Sequence, residues 1–224
     1  MSESVPLSII IPTLNEQGVI EVCLDHLQPL RAMGVEIIVS DGGSVDRTCE
    51  LAAPYADKVI NGERGRSCQM NTGAGIARGQ CFLFLHADTQ LPEDFSVALL
   101  LGAQWGFFPL KLSGSAWPFR FIERAINLRS KISGIGTGDQ VLFVRSALFD
   151  VLGGFADIPL MEDVEFCRRL KTVCRPVLGH SFVVTSSRRW EQRGIVRTVF
   201  QMWRLRLAYF LGVSPQSLVR QYYS

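Results

Sequence analysis

Short apolar runs alternate with helically spaced segments through the first half of the chain. Leu7 to Ile11 (LSIII) is rich in β-branched residues and does not alternate, as expected of a strand covered on both faces, and Pro6 and Pro12 bound it. Asn15 and Glu16 stand where a helix should begin, and Val19, Ile20, Cys23, Leu24, Leu27 and Leu30 then recur at helical spacing. A second buried run, Glu36 to Ser40, leads into Asp41-Gly42-Gly43-Ser44, with Asp46 placed to cap a helix carrying Cys49, Leu51 and Ala52. Lys58 to Ile60 predicts a short third strand, Cys68 to Ala77 a helix, and Cys81 to Leu85 a fourth strand buried on both sides. Such alternation predicts an α/β fold with a mainly parallel sheet between helices, whose ligands bind at the carboxyl ends of the strands.

The second half is less regular. Trp105 to Leu110 and Gln140 to Arg145 read as strands, Phe119 to Ile132 and Glu162 to Leu170 as helices. From Ile195 to Leu211 one helical stripe holds Val196, Phe200, Trp203, Leu207 and Phe210, and another holds Arg197, Gln201, Arg204 and Ala208. No repeat or linker interrupts the chain. The expected division is one domain over residues 1–190, in two halves that meet at residue 90, followed by a basic amphipathic tail over 191–224.

Composition sharpens this in two places. With 224 residues, 47% of them apolar, the chain has material for one substantial core and is not disordered. The net charge of +2 conceals a segment, residues 188–224, with seven arginines and one glutamate, which favours phosphate-rich partners. The six cysteines lack metal-site spacing, and neither a leader nor a bilayer-length apolar run is present. They read as reduced thiols of a cytoplasmic protein.

Candidate chemistry gathers at the strand ends. Asn15, Asp41 and Asp88 each fall just past a predicted strand, so their side chains should share one rim. A carboxylate such as Asp88 needs a partner there, either a divalent ion shared with a diphosphate or the first turn of a helix near Pro92. Asp41 is either a ligand contact or a turn former before Gly-Gly. Glu162-Asp163 either supplies a proton acceptor or is an acidic first turn ahead of Arg168, Arg169 and Lys171. The glycines from Gly73 to Gly79 approach a dinucleotide fingerprint, but they follow polar Gln69 to Thr72 instead of a strand, and that reading is set aside.

Five segments in this order resemble family 2 glycosyltransferases of the GT-A type fold: Ser8–Glu16 (SIIIPTLNE), Ile38–Thr48 (IVSDGGSVDRT), Gly65–Gly73 (GRSCQMNTG), His86-Ala87-Asp88 and Met161-Glu162-Asp163. Within that family the chain is similar to small stand-alone bacterial transferases associated with radical-SAM and selenium-related gene neighbourhoods. The resemblance implies an inverting transfer of sugar from a nucleoside-diphosphate sugar, UDP first and GDP second, to a hydroxyl acceptor, with Mg²⁺ or Mn²⁺ as cofactor and no nucleic-acid partner. It implies that Pro12, Thr13, Asn15, Glu16, Asp41, Gly43, Arg66, Asn71, Gly73, His86, Ala87 and Asp88 bind the donor. Asp88 would hold the metal, with His180 as a candidate second ligand, and Asp163 would be the base with Glu162 beside it. His86 stands where the family has an aspartate, which leaves the ion fewer protein charges.

Gly138, Asp139 and Gln140, in a polar glycine-rich loop, are candidates for shaping the acceptor pocket. Trp190 is a candidate for stacking on a sugar, and Arg188 and Arg189 for holding the diphosphate. Arg188-Arg189-Trp190 matches only part of the motif of chain-polymerising members. The tail helix suits either docking on the domain or a homodimer contact, or an anionic membrane surface that would present a lipid-linked acceptor at the inner face. Two other classes share the strand-end acids: a nucleotidyltransferase, which would need a glycine-rich, arginine-bearing loop where Pro12 to Asn15 stand, and a non-catalytic nucleotide-sugar-binding protein.

Overall fold

In the computed structural model, which describes residues 5–223, the four apolar runs of the first half are parallel strands: β1 (Leu7–Thr13), β2 (Glu36–Asp41), β3 (Lys58–Asn61) and β4 (Cys81–Phe84). Helices α1 (Ile20–His26), α2 (Gln28–Ala32), α3 (Thr48–Ala52) and α4 (Arg66–Ile76) connect them. The remaining elements in chain order are β5 (Thr89–Gln90), α5 (Val97–Leu101), β6 (Trp105–Phe107), β7 (Leu110–Leu112), α6 (Trp117–Ser133), a 3₁₀ turn at Gly138–Gln140, β8 (Leu142–Arg145), α7 (Ser146–Leu152), α8 (Glu162–Val173), β9 (Val177–Leu178), β10 (Val183–Thr185), α9 (Arg188–Arg193), α10 (Ile195–Phe210) and α11 (Pro215–Tyr223).

Seven strands form the main sheet in the order β3-β2-β1-β4-β8-β6-β9, and β8 runs antiparallel to both β4 and β6. Chain order reverses between β1 and β4, the place where open α/β sheets leave a crevice at their carboxyl ends. Each central strand feeds two cores by simple alternation. Ile9, Ile11 and Leu83 face one apolar cluster, while Ile10, Phe82 and Phe84 face the other.

β1 continues through Pro12, which its sequence reading made a boundary. Its β2 ladder extends to Thr13, but its β4 ladder ends at Ile10–Phe84, so the missing Pro12 N–H is not needed on that side. The run Trp105 to Leu110 divides into two strands at Phe108-Pro109. After it the chain leaves the main sheet and enters a small one, β5-β10-β7, where Val183 N–H donates to the Pro109 carbonyl. β8 starts two residues later than expected because Gln140 belongs to the 3₁₀ turn and Val141 is left-handed (φ 50°).

The tail joins the second core through Leu205 of α10 and Leu218 and Tyr222 of α11. The strongly apolar stripe of α10 points elsewhere: Val196, Phe200, Trp203, Leu207 and Phe210 are all exposed.

Candidate active site

The rim at β1 and β2 is tied together by Asp41. Its carboxylate is almost fully buried and accepts hydrogen bonds from the Thr13 hydroxyl (3.1 Å), the Ser44 hydroxyl (2.5 Å) and the N–H groups of Gly43 (2.9 Å) and Ser44 (2.7 Å). Burial alone would raise its pKa, but the Ser44, Gly43 and Thr13 bonds outweigh that and lower it. Gly43 makes this turn at φ 90°, a region that disfavours any side chain. Asn15, also left-handed (φ 56°), accepts from Val45 N–H through its side chain, so both loops close on each other.

Asp88 lies between β4 and β5, half-buried, where its carbonyl accepts from Ser186 N–H (3.1 Å). Asp88 lines a recess of about 220 Å³ together with Gly18, Val19, Thr185 and Ser186. Glu16 stands nearby. Burial and then the charge of Asp88 raise its pKa, against the opposing Arg188, whose Nη2 lies 3.4 Å from the Glu16 carboxylate. Residues from opposite ends of the chain therefore meet above Asp88.

A second group assembles around Gly138. Its N–H donates to Asp163 Oδ2 (2.8 Å), and a Cβ at this position would lie 2.5 Å from both Cε1 and Nε2 of His86. Only glycine allows the loop this close to the imidazole. The other side of the ring, Nδ1, is 3.1 Å from Asp139 Oδ1. Surrounding protein works against the Asp139 charge, yet the His86 hydrogen bond and charge, with Arg66 and Arg189, hold its pKa down at about 2. Glu162, only 7% exposed, behaves oppositely: burial and then the Asp163 charge push it up to about 7, with Arg66 opposing. Both acids lie in the first turn of α8, which starts from left-handed Met161 (φ 69°).

Arg66, at the start of α4, is exposed on its outer side; the protein around it works against its charge, but Glu162, Tyr222, Asp139 and Asp163 outweigh that and raise its pKa. Arg189 donates to the Tyr222 hydroxyl, and its guanidinium carbon sits 4.2 Å from the centre of that ring. Cys23, Cys81 and Cys167 are pushed up to about 12, chiefly by burial, so none is a ready nucleophile.

Several expected ligand residues are placed in the framework. Asn71 donates to and accepts from the Phe155 backbone, and Gly73 packs so closely on Ile10 that a Cβ would approach Cγ2 to 2.5 Å. Gln140 is fully buried and bonded to Ser130 and the Phe108 carbonyl. Trp190 packs partly buried against the first core, and Ala87 is buried in the same cluster. His180 is exposed between Gly179, which packs on Phe108, and Ser181, which bonds Asp94; nothing there links it to Asp88. Pro12 completes β1 beside Ser40.

Three contributors carried no sequence signal of their own. Tyr222 comes from the tail, and Arg129 of α6 and Arg206 of α10 both face the Asp163 side. Burial first, and then Arg206, lower Arg129 to about 10. Their partners lie too far away in the chain for spacing to reveal them.

Divalent-metal use fits the donor set in one form only. Among the described residues no three His, Cys, Asp or Glu side chains are arranged to enclose an ion. Asp88 offers a single carboxylate, which suits an ion completed by diphosphate oxygens and water.

Residues 8–104 match the family model described as glycosyl transferase family 2. The chain is 28% identical to a PGL/p-HBAD biosynthesis glycosyltransferase of Mycobacterium bovis, across 89% of this chain and 97% of that one. It is 36% identical to dolichol-phosphate mannosyltransferase of Pyrococcus furiosus over 39% of this chain and 27% of the other. Two solved structures share the fold. S. aureus TarS in complex with UDP-GlcNAc superposes with a TM-score of 0.67 at 19% identity, covering 81% of this chain. Mannosyltransferase PcManGT of Pyrobaculum calidifontis, in complex with GDP-Man and Mn²⁺, gives 0.64 at 22% identity over 90%. This chain spans 58% and 60% of those two structures' lengths. The architecture is therefore the GT-A type.

Proposed function

We propose that this chain, whose residues 8–104 match the glycosyl transferase family 2 model, is a family 2 glycosyltransferase that transfers a sugar with inversion from a nucleoside-diphosphate sugar to a hydroxyl acceptor. The observation that carries this reading is the position of Gly138. It touches His86, two residues before Asp88, and binds Asp163, so it connects the strand end of the donor side with the helix start of the acceptor side.

In this mechanism Asp163 accepts the proton of the acceptor hydroxyl, as a positioned carboxylate can. The resulting oxygen attacks the anomeric carbon from the face opposite the diphosphate. The bond to the diphosphate oxygen breaks, and inversion follows from the single displacement. Negative charge grows on the leaving group, where Arg66, Arg188 and Arg189 lie on the side of Glu16, Asp139 and Tyr222. Mg²⁺ or Mn²⁺ held by Asp88 would supply Lewis-acid stabilisation of that same charge. Glu162, adjacent to Asp163, is pushed up to about 7 by burial and then by the Asp163 charge, so ionisation is disfavoured beside the proposed base.

UDP is the first donor nucleotide to test and GDP the second, following the ligands of the two structural relatives. Residues 1–190 hold the proposed catalytic groups, and the helices after them close the site through Tyr222. Incubation with nucleotide sugars, Mn²⁺ or Mg²⁺ and hydroxyl acceptors should release free nucleoside diphosphate and give a product of inverted anomeric configuration by NMR. Release of pyrophosphate would instead identify nucleotidyl transfer. Near-normal turnover in both Asp88→Ala and Asp163→Asn would overturn the assignment.

A further inference from the structure

A broad concavity lies away from the acids, none of which lines it. It is a groove of about 890 Å³ between α6 and α10, lined by Trp117, Phe121, Ile122, Val199, Phe200 and Trp203 among others. Its walls continue along both helices as exposed apolar side chains: Leu128 and Ile132 on α6, Val196, Leu207 and Phe210 on α10. Trp203 is 71% exposed and Trp117 74%, values that a water-facing surface rarely holds in such a cluster.

Charge decides what covers this face. Arg124 and Lys131 on α6 and Arg197 and Arg204 on α10 are exposed, and none has an acidic partner among the described residues. α10 contains no acid, and the single acid of α6, Glu123, is buried and held by Leu112 N–H and Arg120. A second copy laid face to face would bring unpaired arginines against arginines. An anionic partner satisfies them, and a flat apolar interior satisfies the aromatic residues.

Neither helix is long and apolar enough to cross a bilayer, and together they offer the pattern of helices that lie in the interface plane: a broad apolar face with aromatic residues, and a cationic border. We propose that the joint α6–α10 face seats this protein on an anionic lipid bilayer. This holds independently of the sugar-transfer reading, because it uses no residue of the acid cluster.

The test is co-sedimentation of the full chain with vesicles of phosphatidylcholine alone and of phosphatidylcholine with phosphatidylglycerol. The protein should pellet with the anionic vesicles, and its tryptophan emission should shift to shorter wavelength. Phe200→Glu with Trp203→Glu should abolish the association, while Arg197→Glu with Arg204→Glu should weaken it by roughly tenfold or more. Both pairs are exposed, so thermal unfolding should remain that of the wild type. A wild-type chain that stays in the supernatant with anionic vesicles overturns the proposal, as does equal binding to neutral vesicles. A dimer in light scattering that Phe200→Glu/Trp203→Glu dissociates, with no vesicle binding, assigns the face to a second copy instead.

Discussion

Asp41 and Asp163 both sit where backbone N–H groups converge, yet they are held in opposite ways. Asp41 is almost wholly buried and receives two hydroxyls and two N–H groups, all from its own rim, so its oxygens are occupied before any ligand arrives. Among the described residues Asp163 accepts from Gly138 N–H and from Val164 N–H, and its neighbours are Glu162, whose pKa is raised to about 7, and the guanidinium of Arg66. A carboxylate saturated by its own loop stabilises a fold, whereas one left partly open beside coupled charge is fit for proton transfer.

Replacing each acid should separate the two roles. Asp163→Asn retains an oxygen for Gly138 N–H and should fold normally, while transfer falls by about 10²–10⁴-fold, the usual worth of a positioned base. The comparison is turnover at saturating donor against the unfolding midpoint. A variant that lost stability and kept turnover would exchange the roles assigned above.

Gly138→Ala breaks the connection between the sides. The new Cβ has no room beside His86, so either the imidazole leaves Asp139 or the loop releases Asp163. Overpacking of this kind costs about 1–3 kcal/mol, and the loss of transfer should exceed what unfolding explains. Chemical denaturation and kinetics on the same sample measure both.

Asp41→Ala should act almost entirely on stability. Four donors lose their acceptor, and of these the Thr13 hydroxyl is buried while Gly43 is exposed and Ser44 half-buried, so the cost is about 1–3 kcal/mol, set mainly by the buried group. Because the folded pKa is lowered, Asp41 contributes stability above the ordinary carboxylate range and loses it as pH falls through its folded value. The variant should therefore show a flatter acid-unfolding profile than the wild type.

The difference between the two halves also explains how far the sequence could be read. LSIII and CFLFL are central strands buried on both sides, so composition alone marks them, and the strand-end residues follow. The small sheet is built from Thr89–Gln90, Leu110–Leu112 and Val183–Thr185, two or three residues each, too short for any period to register. α10 shows a different limit. Its periodicity predicts the helix well, but Leu205 carries the docking while the richer stripe stays exposed, and two amphipathic stripes look alike in sequence. Gln140 reads as a ligand contact from its polar, glycine-rich loop, and Asn71 from the family resemblance alone. Their hydrogen bonds go to Ser130, Phe108 and Phe155, and only the folded chain brings those partners close.

The mildest perturbation addresses the coupling of the α8 acids directly. In the unfolded chain Glu162 ionises at an ordinary carboxylate value, near 4.5, whereas in the fold burial and Asp163 raise it to about 7. A raised folded pKa means that full stability is present at low pH and declines as pH climbs between those two values, since the fold must then hold a charge it resists. Glu162→Gln removes that charge without removing bulk. It should leave stability at pH 4 unchanged, raise it relative to wild type at pH 8, and flatten the profile between. The same variant should extend the lower limb of the pH–rate profile only slightly, because Asp163 remains. Parallel wild-type and variant stability curves across that range would show that the pair is not coupled, and the contrast between the saturated Asp41 and the charge-strained α8 acids would lose its basis.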